Sequence, residues 1–76
     1  MDFEMLRETI AETLGCDIEK VTREASLEAD LGADSLAAME LIMAIEEKFD
    51  TTVDDSALDS FKTVADLADY LEKSAN

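Results

Sequence analysis

The chain has 76 residues, with six Lys and Arg against twenty Asp and Glu, no His, no Pro, no Trp and one Cys, for a formal charge of −14. Without His there is no Ser–His–Asp triad, no Cys–His pair and no His-containing zinc site, and a lone Cys makes no internal disulfide. A polyanion of this strength repels phosphate backbones and anionic lipid surfaces, so neither nucleic acid nor membrane is an expected partner.

A chain this short reads as one domain, residues 1–76, and at 47% hydrophobic residues it is apolar enough to fold. Its core must be small and its stability marginal, because a short chain buries little of its surface and twenty carboxylates repel one another. Met1-Asp2-Phe3-Glu4 has no basic start, and no long apolar run follows. The expectation is a cytoplasmic monomer.

Phe3, Leu6, Ile10 and Leu14 recur at helical spacing between Asp2, a good N-cap, and Gly15, a common helix terminator, which predicts a first helix over residues 3–14. The stretch from Cys16 to Asp34 has no sustained period. Within it Asp17 is placed to cap a short turn carrying Ile18 and Val21, and Leu27 and Leu31 are apolar anchors that predict an ordered loop.

Leu36 to Phe49 is rich in good helix formers behind Asp34 or Ser35 as cap, and forms the second predicted helix. Asp55 to Phe61 predicts only a turn or two of helix. Thr63-Val64-Ala65-Asp66 has the form of a capping box with Asp in place of Glu, and opens a last helix running through Val64, Leu67, Ala68 and Leu71 to about Lys73. Ser74-Ala75-Asn76 is expected to fray. No alternating strand pattern occurs, so the fold class is all-α: a small four-helix bundle, three main helices plus a short third one, with a long ordered loop between the first two.

The second helix has two faces. At about 100° per residue, Ala38, Leu41, Ile42, Ile45 and Phe49 form a core stripe. Leu36 and Met43 lie on the remote side beside Glu40 and Glu47. Scattered exposed apolar residues are ordinary, but adaptable Met among acids suits weak, fast docking against basic patches. Between Glu28 and Asp59, ten acids face Lys48 as the one base.

Ser35 stands at the start of that helix in Leu31-Gly32-Ala33-Asp34-Ser35-Leu36. Capping is its ordinary role. A helix N-terminus also favours a phosphate ester on such a hydroxyl, although with no His or nearby Lys to take its proton another enzyme must perform that chemistry.

At this point the chain resembles the bacterial acyl carrier proteins of dissociated fatty-acid synthesis. The likeness rests on Leu-Gly-Ala-Asp-Ser-Leu followed by Met-Glu-Leu-Ile-Met-Ala-Ile-Glu-Glu-Lys-Phe, with Leu14-Gly15, Val21-Thr22, Phe49-Asp50 and Thr63-Val64 in matching order. The resemblance implies a non-catalytic carrier. A separate phosphopantetheinyl transferase moves 4′-phosphopantetheine from coenzyme A onto Ser35, and the arm's thiol carries acyl intermediates of fatty acid biosynthesis to successive synthase enzymes. It also implies docking to their basic patches through the second helix, with Asp34, Leu36, Glu40, Met43, Glu46 and Glu47 as candidates. Phe3, Leu6, Ile42, Ile45, Leu67, Ala68 and Leu71 are the candidates for lining a space for the acyl chain, and core packing is their default role.

Four positions depart from the family's commoner pattern. Ala37 stands where an acid is frequent, and Lys48 interrupts the acidic run. Asp54 replaces a frequent Pro, which is expected to loosen the start of the short segment, and Cys16 replaces an aliphatic residue as a small buried hydrophobe. Two other readings stand beside the fatty-acid carrier: a polyketide or other specialised carrier, and an acidic interaction module whose serine is never modified. An EF-hand from Asp50 onward is excluded by Asp55 and Phe61 where the loop needs Gly and Glu, whereas loose divalent-cation binding by the acids stays open.

Overall fold

The computed structural model describes residues 2–74. Helix α1 spans Phe3–Leu14, α2 spans Ser35–Phe49 and α3 spans Val64–Ser74, with 3₁₀ segments of one turn at Ile18–Lys20 and two turns at Asp55–Ser60. The short third helix is therefore of the tighter 3₁₀ kind, in keeping with a segment too short to propagate an α-helix. Of the residues expected to fray, Ser74 closes α3, and Ala75 and Asn76 lie outside the described residues.

Each helix begins where a side chain satisfies its free N–H groups. Asp2 Oδ1 accepts from the N–H of Glu4 at 3.0 Å and of Met5 at 3.4 Å. At α3 the capping box is reciprocal: Thr63 Oγ1 accepts the Asp66 N–H at 3.3 Å, while Asp66 Oδ2 accepts the N–H of Thr63 at 3.0 Å and of Lys62 at 2.9 Å. These bonds hold the Asp66 carboxyl below its ordinary pKa, since the charged form is the better acceptor.

Helices α1 and α2 end alike. Gly15 enters the left-handed region at φ 68°, and the N–H groups of Gly15 and Cys16 both reach Ala11 O. Asp50 does the same at φ 50° after α2, with its own N–H and that of Thr51 on Glu46 O. Asp is among the few side-chain-bearing residues that tolerate this conformation.

One core joins all three helices. Leu6 and Ile10 of α1, Leu41, Ile42 and Ile45 of α2, and Val64, Leu67, Ala68 and Leu71 of α3 are buried together. Phe3, Leu14, Ala38 and Phe49, expected on the core stripes, are only partly buried, because they lie at helix ends or beside an open cleft. Cys16, expected to be buried, is also only partly covered.

The long loop is tied down along its length. Val21, Ala25, Leu27, Leu31 and Ala33 enter the core, so the two Leu anchors are joined by three smaller residues. Arg7 holds the first turn to α1, donating through Nε to Val21 O and through a terminal nitrogen to Ile18 O, both at 2.9 Å. Asp17 occupies the N-cap position of that turn, but its side chain makes no capping bond; the turn closes on backbone bonds and Arg7. Farther on, the loop runs antiparallel to the approach to α3 through an isolated bridge of Ser26 to Thr63, with the Leu27 N–H on Lys62 O at 3.0 Å and the Val64 N–H on Ala25 O at 3.1 Å. Arg23 stacks over Phe3 at 5.2 Å from the ring centre and lies 3.5 Å from Asp69, clasping α1 to α3 across the loop. Among the described residues no helix is long and apolar enough to cross a membrane.

Candidate functional site

Asp34, in extended conformation, accepts the Ala37 N–H on Oδ1 at 2.8 Å and so caps α2. The cap was open between Asp34 and Ser35 in the sequence, and Asp34 takes it. Ser35 becomes the first helical residue, exposed, with no hydrogen bond to its hydroxyl among the described residues. No acid stands in the first turn of α2, so the positive end of the helix is not neutralised from within that turn.

Beside this serine opens a cleft of about 600 Å³ between α2, the long loop and the 3₁₀ segment before α3. Buried Leu27, Leu41, Ile42 and Leu67 form its floor, and exposed Glu28, Asp34, Ser35, Met39, Asp59 and Lys62 its rim. From α2 the lining residues Ser35, Ala38, Met39 and Ile42 follow the spacing i, i+3, i+4, i+7, one face of the helix. Phe61 closes part of the wall, its ring edge-on to Tyr70 with centroids 5.3 Å apart.

Of the seven residues expected to line an acyl space, Ile42 and Leu67 lie on this cleft. The other five do not: Leu6, Ile45, Ala68 and Leu71 are buried in the core between the helices, and Phe3 lies under Arg23. The reason is positional: Ile45 and Leu71 stand about one turn farther along their helices than Ile42 and Leu67, away from the residues that line the cleft, and Ala68 lies about 100° around α3 from Leu67. Met39, 56% exposed, was missed, although its i+4 spacing from Ser35 marks it. Lys62 and Phe61 were missed because their approach to Ser35 depends on the loop folding back.

The outward face of α2 stands as the helical period placed it. Leu36 is 67% and Met43 65% exposed, with Glu40 and Glu47 exposed beside them. Glu46 departs from this group. Its Oε2 accepts the Val53 N–H at 2.8 Å and is half-buried, because residue 46 lies about 100° around the helix from residue 47. Asp54 departs from expectation in the other direction: its Oδ1 accepts the Ser56 N–H at 3.1 Å, and its N–H, which Pro would lack, donates to Tyr70 Oη at 3.2 Å. With Asp at this position the start of the short segment is held by two hydrogen bonds, one from the N–H and one to the side chain.

Among the described residues no base is hydrogen-bonded to the Ser35 hydroxyl. Lys62 lines the same cleft as Ser35, and among the described residues no hydrogen bond joins the two. Among the described residues no three His, Cys, Asp or Glu side chains converge as metal ligands would. What remains is an accessible hydroxyl at a helix N-terminus, beside an apolar groove.

The family model described as a phosphopantetheine attachment site matches residues 4–71. The chain belongs to this family, that of the acyl carrier proteins. It is 52% identical over 68 residues to the acyl carrier protein of Bdellovibrio bacteriovorus, a match covering 90% of this chain and 87% of that one. To the acyl carrier protein of an Exiguobacterium species it is 45% identical over 67 residues, covering 88% and 85% of the two chains. The solution structure of a holo acyl carrier protein from Nitrosomonas europaea superposes with a TM-score of 0.81 at 29% identity, covering 96% of this chain and 94% of that one. The acyl carrier fold accounts for the three α-helices, the 3₁₀ turns and the long α1–α2 loop together. As a family member the chain is a non-catalytic carrier in fatty acid synthesis, with a phosphopantetheine attachment site.

Proposed function

We propose that Ser35 is the residue to which the phosphopantetheine is attached. The observation that carries this reading is the division of labour at the start of α2: Asp34 does the capping, and the Ser35 hydroxyl is exposed and unbonded beside an apolar cleft. The residues present fit the group. An exposed oxygen is free to attack the pantetheine-bearing phosphorus of coenzyme A, breaking the pyrophosphate bond and releasing adenosine bisphosphate. The serine proton passes to a base on the transferase, since among the described residues no side chain of this chain is hydrogen-bonded to the hydroxyl. The phosphodiester then sits at the positive end of α2, and the arm's thiol supplies the thioester linkage for cargo.

The carried acyl chain lies in the cleft over Leu27, Ile42 and Leu67 rather than among the core residues between α1 and α3. Transferase and synthase enzymes approach along α2, where Leu36 and Met43 offer apolar contact and Asp34, Glu40 and Glu47 steer basic patches. The carrier works in the cytoplasm as a monomer.

The test is intact-mass measurement after incubation with coenzyme A and a broad-specificity phosphopantetheinyl transferase, on wild type and Ser35→Ala. One phosphopantetheine added to wild type alone is the expected result. No addition by an active transferase returns the protein to the acidic docking module, and addition to both places the arm elsewhere.

A further inference from the structure

We infer that Lys62 supplies the counter-charge for the phosphodiester of the arm, making it a positioning residue for the prosthetic group; this rests on Ser35 as the attachment site. Lys62 is the one Lys or Arg lining the cleft, whose rim otherwise carries the carboxylates of Glu28, Asp34 and Asp59. Its ammonium is exposed and in no ion pair among the described residues. The Asp66 carboxylate, which accepts the backbone N–H groups of Lys62 and Thr63, feels the Lys62 charge only as the least of the causes that stabilise its ionised form.

A relay of backbone hydrogen bonds fixes where Lys62 stands relative to Ser35. Lys62 O accepts the Leu27 N–H at 3.0 Å, and Leu27 O accepts the Ala33 N–H at 2.8 Å, two residues before Ser35. Each such step spans about 5 Å between chains. Lys62 and Ala33 are thus held on neighbouring walls of one cleft, a gap that a four-carbon stem and a phosphodiester linkage bridge from opposite sides. Leu27 and Ala33, the middle and far members of this relay, are buried in the core, which holds the backbone of the two cleft walls in register.

The electrostatics favour such a partner. Modification adds a negative charge beside Asp34 in a chain already at −14, and at separations inside a Debye length, about 8 Å at physiological salt, that repulsion is poorly screened. The helix N-terminus offsets part of it and Lys62 the rest, drawing the first atoms of the arm across the cleft instead of outward into solvent.

The experiment compares apo and holo forms of wild type, Lys62→Gln, Lys62→Arg and, as a control off the cleft, Lys48→Gln. Holo formation is verified by mass in each. The Lys62 Cε resonance in carbon-13-labelled wild type is expected to shift on modification more than those of Lys20 and Lys48, and to return toward its apo position in about 1 M salt, where the Debye length is about 3 Å. The holo form of Lys62→Gln is expected to lose about 3 °C more in Tm, relative to its apo form, than wild type does, with Lys62→Arg behaving as wild type. Either an unmoved Cε resonance or an apo-to-holo change in Tm equal in wild type and Lys62→Gln overturns the role of Lys62 alone. No mass gain on any variant overturns the attachment at Ser35 and this inference with it.

Discussion

Asp34 accepts the Ala37 N–H at 2.8 Å, and the hydroxyl of its neighbour Ser35 has no partner among the described residues. Two adjacent residues, each able to cap a helix, divide the work: the carboxylate holds the helix, and the alcohol is presented to an incoming enzyme. The geometry also separates the two roles experimentally.

Ser35→Ala should change unfolding stability by less than about 0.5 kcal/mol, because no bond is lost. Asp34→Ala should lose about 1 kcal/mol, because the α2 cap goes. Urea denaturation of the apo proteins checks both, and a large loss in Ser35→Ala would show that the hydroxyl has a structural task.

At the start of α3, Asp66→Ala should cost about 1 kcal/mol through loss of the capping box. The folded-state pKa of Asp66 is lowered, chiefly by the Lys62 and then the Thr63 backbone N–H groups, so its contribution is full above the ordinary aspartate pKa and fades as pH falls through the lower folded value. The stability gap between wild type and Asp66→Ala should therefore be constant at neutral pH and narrow in strong acid. A gap independent of pH would mean that the carboxylate's charge plays no part.

Glu46 and Glu47 are sequence neighbours with different work. Glu46→Ala should lower stability by about 1 kcal/mol and speed amide exchange at Val53, whose N–H it holds. Glu47→Lys and Glu40→Lys should leave stability within about 0.5 kcal/mol while slowing association with the transferase at low salt. Leu36→Ala and Met43→Ala should weaken that complex by about 1–2 kcal/mol with little effect on folding. Stopped-flow association across ionic strength, beside thermal unfolding, separates the two sets.

Loading the holo protein with a medium-chain acyl group should shift methyl resonances of Met39, Ile42 and Leu67 on the cleft, and leave Leu6 and Leu71 in the core nearly unmoved. Strong shifts at Leu6 and Leu71 instead would place the chain between the helices, as the sequence first suggested. Leu6→Ala should in either case cost about 2–5 kcal/mol, since that side chain is fully buried.

Local rules carried much of this protein. Asp2, the Thr63 to Asp66 box and Gly15 marked their helix ends because caps act through residues within one turn. The outward face of Leu36, Glu40, Met43 and Glu47 followed from the helical period alone. Ser35 was singled out by its place at a helix start and by family resemblance.

Long-range contacts decided the rest. Glu46 was grouped with the docking acids until the Val53 N–H, seven residues on, claimed it. Asp54 read as a missing proline until Tyr70 Oη, sixteen residues away, met its N–H. The cleft itself exists because Leu27 pairs with Lys62 and Ala33, which folds the loop back against the approach to α3 and brings Lys62 and Phe61 to the same cleft as Ser35. Helix starts, stops and faces are written in neighbours three and four apart, and this sequence determined them by itself. Which of those faces closed over core and which was left open as a groove depended on pairings between distant segments, and only the tertiary structure decided that.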